Sequence, residues 1–331
     1  MKYRVAIIGC GALGTLHAKV WSSREDSKIV AVYDILDDRT QKMATDFEAT
    51  ACKSLEEAIV ENDVNVVSVC TPVVHHPDIS CLAMDHGRHV ICEKPIALTV
   101  AEAERMIAKS HEKGVKLVVG YQYRGLPRYI KCREIFRSGD FGGPIFFRYT
   151  DIREARPKIA MHHKKMNGGP VIDMAGHIFD IMRFITDEEP VRVYARGHIF
   201  GDRRPRLVAK VDEFAIDAAE INVEYSGGHV LATLIHWSLP DKHPGMGGEE
   251  IVGADLIVKP TNKGVEARYT DHAITYDLGE IPTGPTARIE DLVQAIENDT
   301  TPEVSGEVAL IALRESLAAL ESIETNRAVD L

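Results

Sequence analysis

A chain of 331 residues, 45% of them hydrophobic, is long for one core and fits two domains. Its formal net charge of −11, with no basic run longer than His162-His163-Lys164-Lys165, repels polyanions, so no nucleic-acid partner is expected. No apolar stretch reaches 18 residues, and Met1-Lys2-Tyr3-Arg4 runs straight into a strand pattern, so neither a membrane span nor a secretory leader is expected.

The first 120 residues alternate strand and helix signals. Val5-Ala6-Ile7-Ile8 is an apolar run that ends at glycine, and Leu13 to Trp21 has helical spacing. Further strands are expected at 29–33, 64–69, 89–92 and 116–119, with helices at 54–59, 78–86 and 100–112. Continuous Val/Ile runs without polar alternation indicate strands covered on both faces, and helical crossovers between them indicate a parallel sheet. After Gly120 the pattern changes. A helix is expected at 128–136, a strand at 144–149 and one amphipathic helix at 171–185. Strands then follow at 191–195, 214–225, 229–237, 251–258 and 274–278, with Ser226-Gly227-Gly228 as a hairpin turn. Helices at 286–297 and 307–325 close the chain. The expected fold is α/β: a dinucleotide-binding domain over 1–122, then an α/β domain over 123–331 with a large, mostly antiparallel open sheet. A strand-rich second half has a sheet face to cover, which points to a homo-oligomer, a dimer or tetramer. The six cysteines all precede residue 133 and form no Cys-x-x-Cys pair, which reads as reduced thiols filling space in a cytoplasmic protein.

Gly9-x-Gly11-x-x-Gly14 follows the first strand and opens the first helix. The first glycine permits the tight turn, the second lets the backbone approach a pyrophosphate, and the third lets the helix pack close to the sheet. The pyrophosphate then meets free N–H groups at a helix N-terminus, over Gly11, Ala12 and Leu13. Asp34 ends the second strand at about the 20-residue separation expected for a ribose contact. Its carboxylate favours NAD over NADP, since it would accept from a 2′-hydroxyl and repel a 2′-phosphate. Arg39 either softens that preference or is a solvated cation at a helix start.

With the run Thr71-Pro72…His76, the block Gly87 to Pro95 containing Glu93-Lys94-Pro95, the block Gly168-Gly169…Asp173…Gly176-His177…Asp180, and Ser305-Gly306-Glu307, the chain resembles the glucose–fructose oxidoreductase / inositol dehydrogenase (Gfo/Idh/MocA) family over nearly its whole length. The resemblance implies that Lys94 is the catalytic lysine, that Asp173 and His177 complete the catalytic set, and that Thr71, Pro72, His76, Glu93 and Gln122 line NAD near its nicotinamide. It also implies a Rossmann domain followed by an α/β domain that often forms the subunit interface. The sequence departs from the family's Arg-Arg-aromatic-x-Pro segment with Tyr123-Arg124-Gly125-Leu126-Pro127, and places Pro170 where a third glycine often stands. Both changes concern positions expected to face substrate.

Asp173 and His177 are four apart and share a helix face, which Asp180 continues; the opposite face carries Met174, Ile178, Ile181, Met182 and Ile185. The polar stripe is therefore expected to face solvent or a cleft, with Asp180 as a structural partner. In this reading His177 takes the substrate's hydroxyl proton. Lys94 stabilises the developing alkoxide, and Asp173 orients the imidazole or the substrate. Tyr123, Arg124, His162 and His163 are candidate substrate contacts, with Arg153 and Arg156 as further positive charge, although the 162–165 run also reads as a solvated loop. No grouping has metal-ligand spacing, so no metal is expected. The activity expected is NAD-dependent oxidation of a sugar or cyclic polyol such as an inositol. The alternatives are an NAD-retaining glycoside hydrolase or lyase of the same fold and a non-catalytic NAD-sensing regulator.

Overall fold

The computed structural model describes residues 1–279 and 284–331. The strands and helices in chain order are β1 (Tyr3–Ile8), α1 (Ala12–Ser22), β2 (Ser27–Tyr33), α2 (Asp37–Phe47), β3 (Thr50–Ala51), β4 (Val66–Val69), α3 (His76–Asp85), β5 (His89–Cys92), α4 (Val100–Lys113) and β6 (Leu117–Val119). They continue as α5 (Pro127–Ser138), β7 (Phe146–Glu154), α6 (Pro170–Asp173), α7 (Ala175–Thr186), β8 (Pro190–His198), α8 (Pro205–Val208), β9 (Ala218–Tyr225) and β10 (Val230–Leu239). The last are β11 (Met246–Val252), β12 (Ile257–Pro260), β13 (Gly264–Arg268), β14 (Ala273–Asp277), α9 (Thr286–Glu297), α10 (Gly306–Thr325) and β15 (Val329–Asp330).

The first unit is a six-stranded parallel sheet in the order β3-β2-β1-β4-β5-β6. Every residue of β4 and β6 is buried, as expected of strands covered on both faces. The order reverses between β1 and β4, and open α/β sheets bind ligands outside the carboxyl ends of their strands at that reversal. α4 starts with a reciprocal capping box between Thr99 and Glu102 and ends at Gly114 in the left-handed region, φ 64°. The segment expected as a helix over 54–59 forms a single π-turn, Glu57–Glu61.

Giving residues 123–331 entirely to the second domain needs correction. Residues 284–310 belong with the first unit, together with 1–122. The reason is apolar: Ile289, Leu292 and Val293 of α9 join Tyr3, Val5, Trp21, Ile29 and Val118 in one core, and Glu297 takes the Lys2 ammonium at 2.5 Å.

The second unit is built on a nine-stranded sheet, β14-β13-β12-β11-β7-β10-β9-β8-β15. β7 and β10 run parallel and the other neighbours pair antiparallel. The single strand expected over 251–258 is two strands, β11 and β12, and β13 was not anticipated. β11 begins Met246-Gly247-Gly248 and is mostly exposed, so it has no buried alternation to read. The helix expected over 171–185 is also two helices: the chain breaks at Met174, and the His177 N–H returns to the Met174 carbonyl, a three-residue closure.

Candidate active site

In the first unit the glycine turn forms for steric reasons. A Cβ on Gly14 would lie 2.0 Å from the Gly9 carbonyl oxygen, and one on Gly9, at φ 96°, would meet the Cys70 carbonyl at 2.8 Å. A Cβ on Gly11 would meet nothing within 4 Å, and Gly11 caps α1 without any side-chain hydrogen bond. The first-turn N–H groups, over Ala12 and Leu13, thus stand at an open, uncharged helix start with no acidic residue in it. Asp34 closes the cradle: its Oδ2 accepts from the Cys10 N–H at 2.8 Å and its Oδ1 from the Leu36 N–H at 2.9 Å. A carboxylate offers about four lone-pair sites, so two such bonds leave capacity for ribose hydroxyls. Arg39, more than half exposed, has its Nη1 4.0 Å from Asp34 Oδ2. Burial, then the Asp34 charge, push the Cys10 thiol up to about 12, so it stays a neutral space-filler. These residues fit a dinucleotide.

The turns after β4, β5 and β6 emerge at the same sheet edge. Two histidines tie them together, and sequence reading assigned only one of them. The ring of His76 lies between two carbonyls, 2.8 Å from Pro95 O and 3.0 Å from Thr71 O, which ties the Thr71-Pro72 turn to the Lys94–Pro95 peptide, a cis bond. A neutral imidazole can serve one of those acceptors at a time. His17, fully buried on α1, holds Glu93 Oε1 at 3.0 Å. Burial pushes the Glu93 carboxyl up, but the His17 hydrogen bond and the charges of His17, Lys94 and His76 outweigh it and hold it below the usual carboxylate range. Gly120 packs closely beside it: a Cβ there would sit 3.0 Å from Glu93 Oε2 and 3.1 Å from the Lys94 backbone nitrogen. Glu93 and His76 therefore brace the turn that carries Lys94. Thr71, Pro72, Lys94 and Gln122 remain partly exposed at that edge.

In the second unit the expected outward polar stripe is buried: Asp173 and His177 are 3% exposed and Asp180 is 0% exposed. α7 is buried all round, and a carboxylate there needs a partner. Arg124 supplies it, with Nε at 2.9 and 3.0 Å and Nη2 at 2.6 Å from the two Asp180 oxygens. Asp180 is thus the buried partner of Arg124, whose Nε and Nη2 are both engaged by it. Tyr123 stacks on His177, with ring centroids 4.2 Å apart and planes within 13°. Tyr129 follows at 5.8 Å, the Arg128 guanidinium lies 4.8 Å from its centroid, and its hydroxyl donates to Glu249 Oε2 at 2.7 Å. Burial holds the Glu249 carboxyl above its usual range. Asn167 donates to Asp173 Oδ2 at 3.3 Å.

Gly168 and Gly169, at φ 73° and 77°, turn the chain into α6. A Cβ on Gly169 would lie 2.6 Å from that of Ala215, and Pro170 follows as the first helical residue. The His162–Lys165 run is not a solvated loop throughout. His162 is buried, with Nε2 3.0 Å from the Arg156 carbonyl, and His163 Nε2 lies 2.7 Å from Asp212. The residues missed in the sequence are His17, Gly120, Asn167, Tyr129 and Glu249. Only His17, on the helix that opens with the glycine turn, carried a local signal. Among the described residues no group of three or more His, Cys, Asp or Glu side chains could hold a metal, and no helix is long and apolar enough to cross a membrane.

Residues 3–121 match an oxidoreductase family with an NAD-binding Rossmann fold, GFO/IDH/MocA, and residues 129–254 match the C-terminal domain of the same family. The chain belongs to the Gfo/Idh/MocA family. It is an NAD-dependent oxidoreductase. It is similar to the myo-inositol 2-dehydrogenase of Thermotoga maritima, 27% identical over 99% of this chain and 98% of that one. It is also similar to the NAD-dependent scyllo-inositol 2-dehydrogenase of Bacillus subtilis, 29% identical over 63% and 61%. In fold it resembles the Caulobacter crescentus aldose-aldose oxidoreductase, with a TM-score of 0.84, 22% identity and full coverage of both chains.

Proposed function

We propose that this Gfo/Idh/MocA chain oxidises a hydroxyl of a sugar or cyclic polyol, of the inositol kind, with NAD as acceptor. The observation that carries the reading is the bracing of the Lys94 turn, by His76 and by Glu93 with His17, at the same sheet edge as the glycine cradle. Similarity to an inositol dehydrogenase over the full length supports the substrate class. Gly9, Gly11, Ala12, Leu13, Gly14 and Asp34 hold the dinucleotide, and Thr71, Pro72, His76, Glu93 and Gln122 surround its nicotinamide end. When bound, NAD supplies the hydride acceptor. Lys94 sets a positive charge at the substrate oxygen and stabilises its alkoxide character. His177, its ring plane fixed by Tyr123, accepts the hydroxyl proton. Asp173, held by Asn167, orients the substrate or the imidazole. The six buried free thiols support a reducing, cytoplasmic setting, and exposed Phe146, Tyr194, Leu234 and Ile257 on the sheet strands support a homo-oligomer.

A panel of polyols and aldoses with NAD and NADP, followed by absorbance of the reduced cofactor, tests this. Net NADH formation is expected with at least one cyclic polyol or sugar; glycoside cleavage without net NADH would instead establish the NAD-retaining hydrolase. Asp34→Ala should raise the KM for NAD about tenfold or more, since hydrogen bonds to a charged group contribute about 1.5–3 kcal/mol, and should narrow the preference over NADP.

A further inference from the structure

The second unit holds a cation that the fold does not neutralise. Tyr149, Asp151 and Arg153 alternate along β7 and so share one sheet face. Asp151 is buried and both its oxygens accept: Oδ2 from Trp237 Nε1–H at 2.8 Å and Oδ1 from Arg153 Nε at 2.7 Å, with Arg153 Nη2 on the same oxygen. The buried Trp237 ring carries two guanidiniums, Arg153 at 5.5 Å and Arg156 at 5.4 Å from its centroid. One carboxylate thus serves two cations, and it is spent on Arg153. Among the described residues the Arg156 guanidinium makes no hydrogen bond or ion pair, and its buried Nε lacks an acceptor. Arg206, itself 3.6 Å from the Asp241 carboxylate, holds the chain after β7, with Nη2 2.8 Å from the Ala155 carbonyl and 3.4 Å from that of Arg156.

An unmet guanidinium N–H beside an aromatic face, next to two guanidiniums that are each paired with one carboxylate, suits an oxyanion. On the same sheet face Tyr149 is buried, and its phenol is pushed up first by burial, then by Tyr123, which stacks on His177, and by Asp151. We propose that Arg156, backed by Arg153, Arg206 and Trp237, binds a carboxylate or phosphate on the substrate. The enzyme then takes an acidic sugar or polyol derivative in preference to a neutral one. This rests on the dehydrogenase reading above and narrows its substrate.

Trp237 is one of two tryptophans, and the other, Trp21, is fully buried in the first unit's core, so a ligand-dependent emission change reports Trp237. Titration of the protein with glucuronate, glucose 6-phosphate and glucose, at ionic strength matched with chloride, is expected to give a saturable change with an anion and none with glucose. Whichever anion saturates first distinguishes carboxylate from phosphate. Arg156→Ala should raise the half-saturating concentration tenfold or more, with Arg156→Lys between the two. In turnover, the kcat/KM ratio of acidic over neutral substrate should fall by a similar factor in Arg156→Ala. Equal saturation in Arg156→Ala, or no change beyond that of chloride, overturns the subsite. If neutral polyols still reduce NAD in that case, the dehydrogenase reading survives. Anion binding without oxidation of any sugar or polyol would sink that reading and leave the subsite standing.

Discussion

In the first unit the polar groups of the site hang on the ends of parallel strands, on short turns that His17 and His76 tie to one another. In the second they lie inside a packed helix and across a mostly antiparallel sheet, where Asp180 and Tyr129 are held by residues far away in the chain. Asp34 finds its donors on Cys10 and Leu36. Asp180 finds Arg124, 56 residues earlier, and Tyr129 finds Glu249, 120 residues later. The first arrangement suits a cofactor whose backbone-bound pyrophosphate is the same for every reaction. The second suits substrate selection, because buried ion pairs and stacked rings set position through shape and are costly to rearrange. Function is thus divided by the kind of force each unit uses.

That contrast can be broken most sharply at Lys94. Lys94→Ala is expected to lower kcat about a thousandfold, in the range of removing one electrostatic stabiliser, and to shift NAD affinity less than about threefold. Steady-state kinetics beside a direct NAD titration would show whether the lysine belongs to the chemistry or merely to the cofactor cradle. Arg124→Leu probes the other unit. Leaving Asp180 charged and buried should cost about 3–5 kcal/mol, and adding Asp180→Leu should recover most of it. Urea midpoints of the two variants measure this; a single variant as stable as the parent would mean that the pair is not the anchor of α7.

A smaller effect sharpens the picture at Glu315 of α10, which is buried in the second unit, receives the Tyr225 hydroxyl at 2.7 Å and leaves Oε1 without a partner among the described residues. Burial pushes its carboxyl up to about 8. The folded chain therefore prefers the protonated acid, whereas the unfolded chain ionises it near 4.3. Its contribution is complete below the unfolded value and is lost as pH rises toward 8. Melting temperature should fall by a few degrees between pH 5 and 8, and Glu315→Gln should flatten that slope. A parallel slope in the variant would place the effect elsewhere.

Several of these outcomes turn on features that were plain in the sequence. Gly9, Gly14 and Asp34 could be read because a steric demand falls on residues a few positions apart, and the parallel strands announced themselves by unbroken Val/Ile runs. The break at Met174 could not, since nothing in Ile172 to Ala175 is a helix breaker. Nor could the burial of Asp173, His177 and Asp180. Helical spacing shows that polar residues share a face, but only the packing of other elements says what that face meets.

The sequence by itself determined the cofactor domain, the family and the residues available for chemistry, because glycine sterics, strand patterning and motif spacing act over short stretches of chain. Only the tertiary structure decided that α9 returns to the first core, that His17 braces Glu93, that Arg124 pairs with Asp180 and that Arg156 is left without a counter-charge. Each of those outcomes is a pairing between distant residues, and such pairings are settled by competition for buried area and for partners when the whole chain packs.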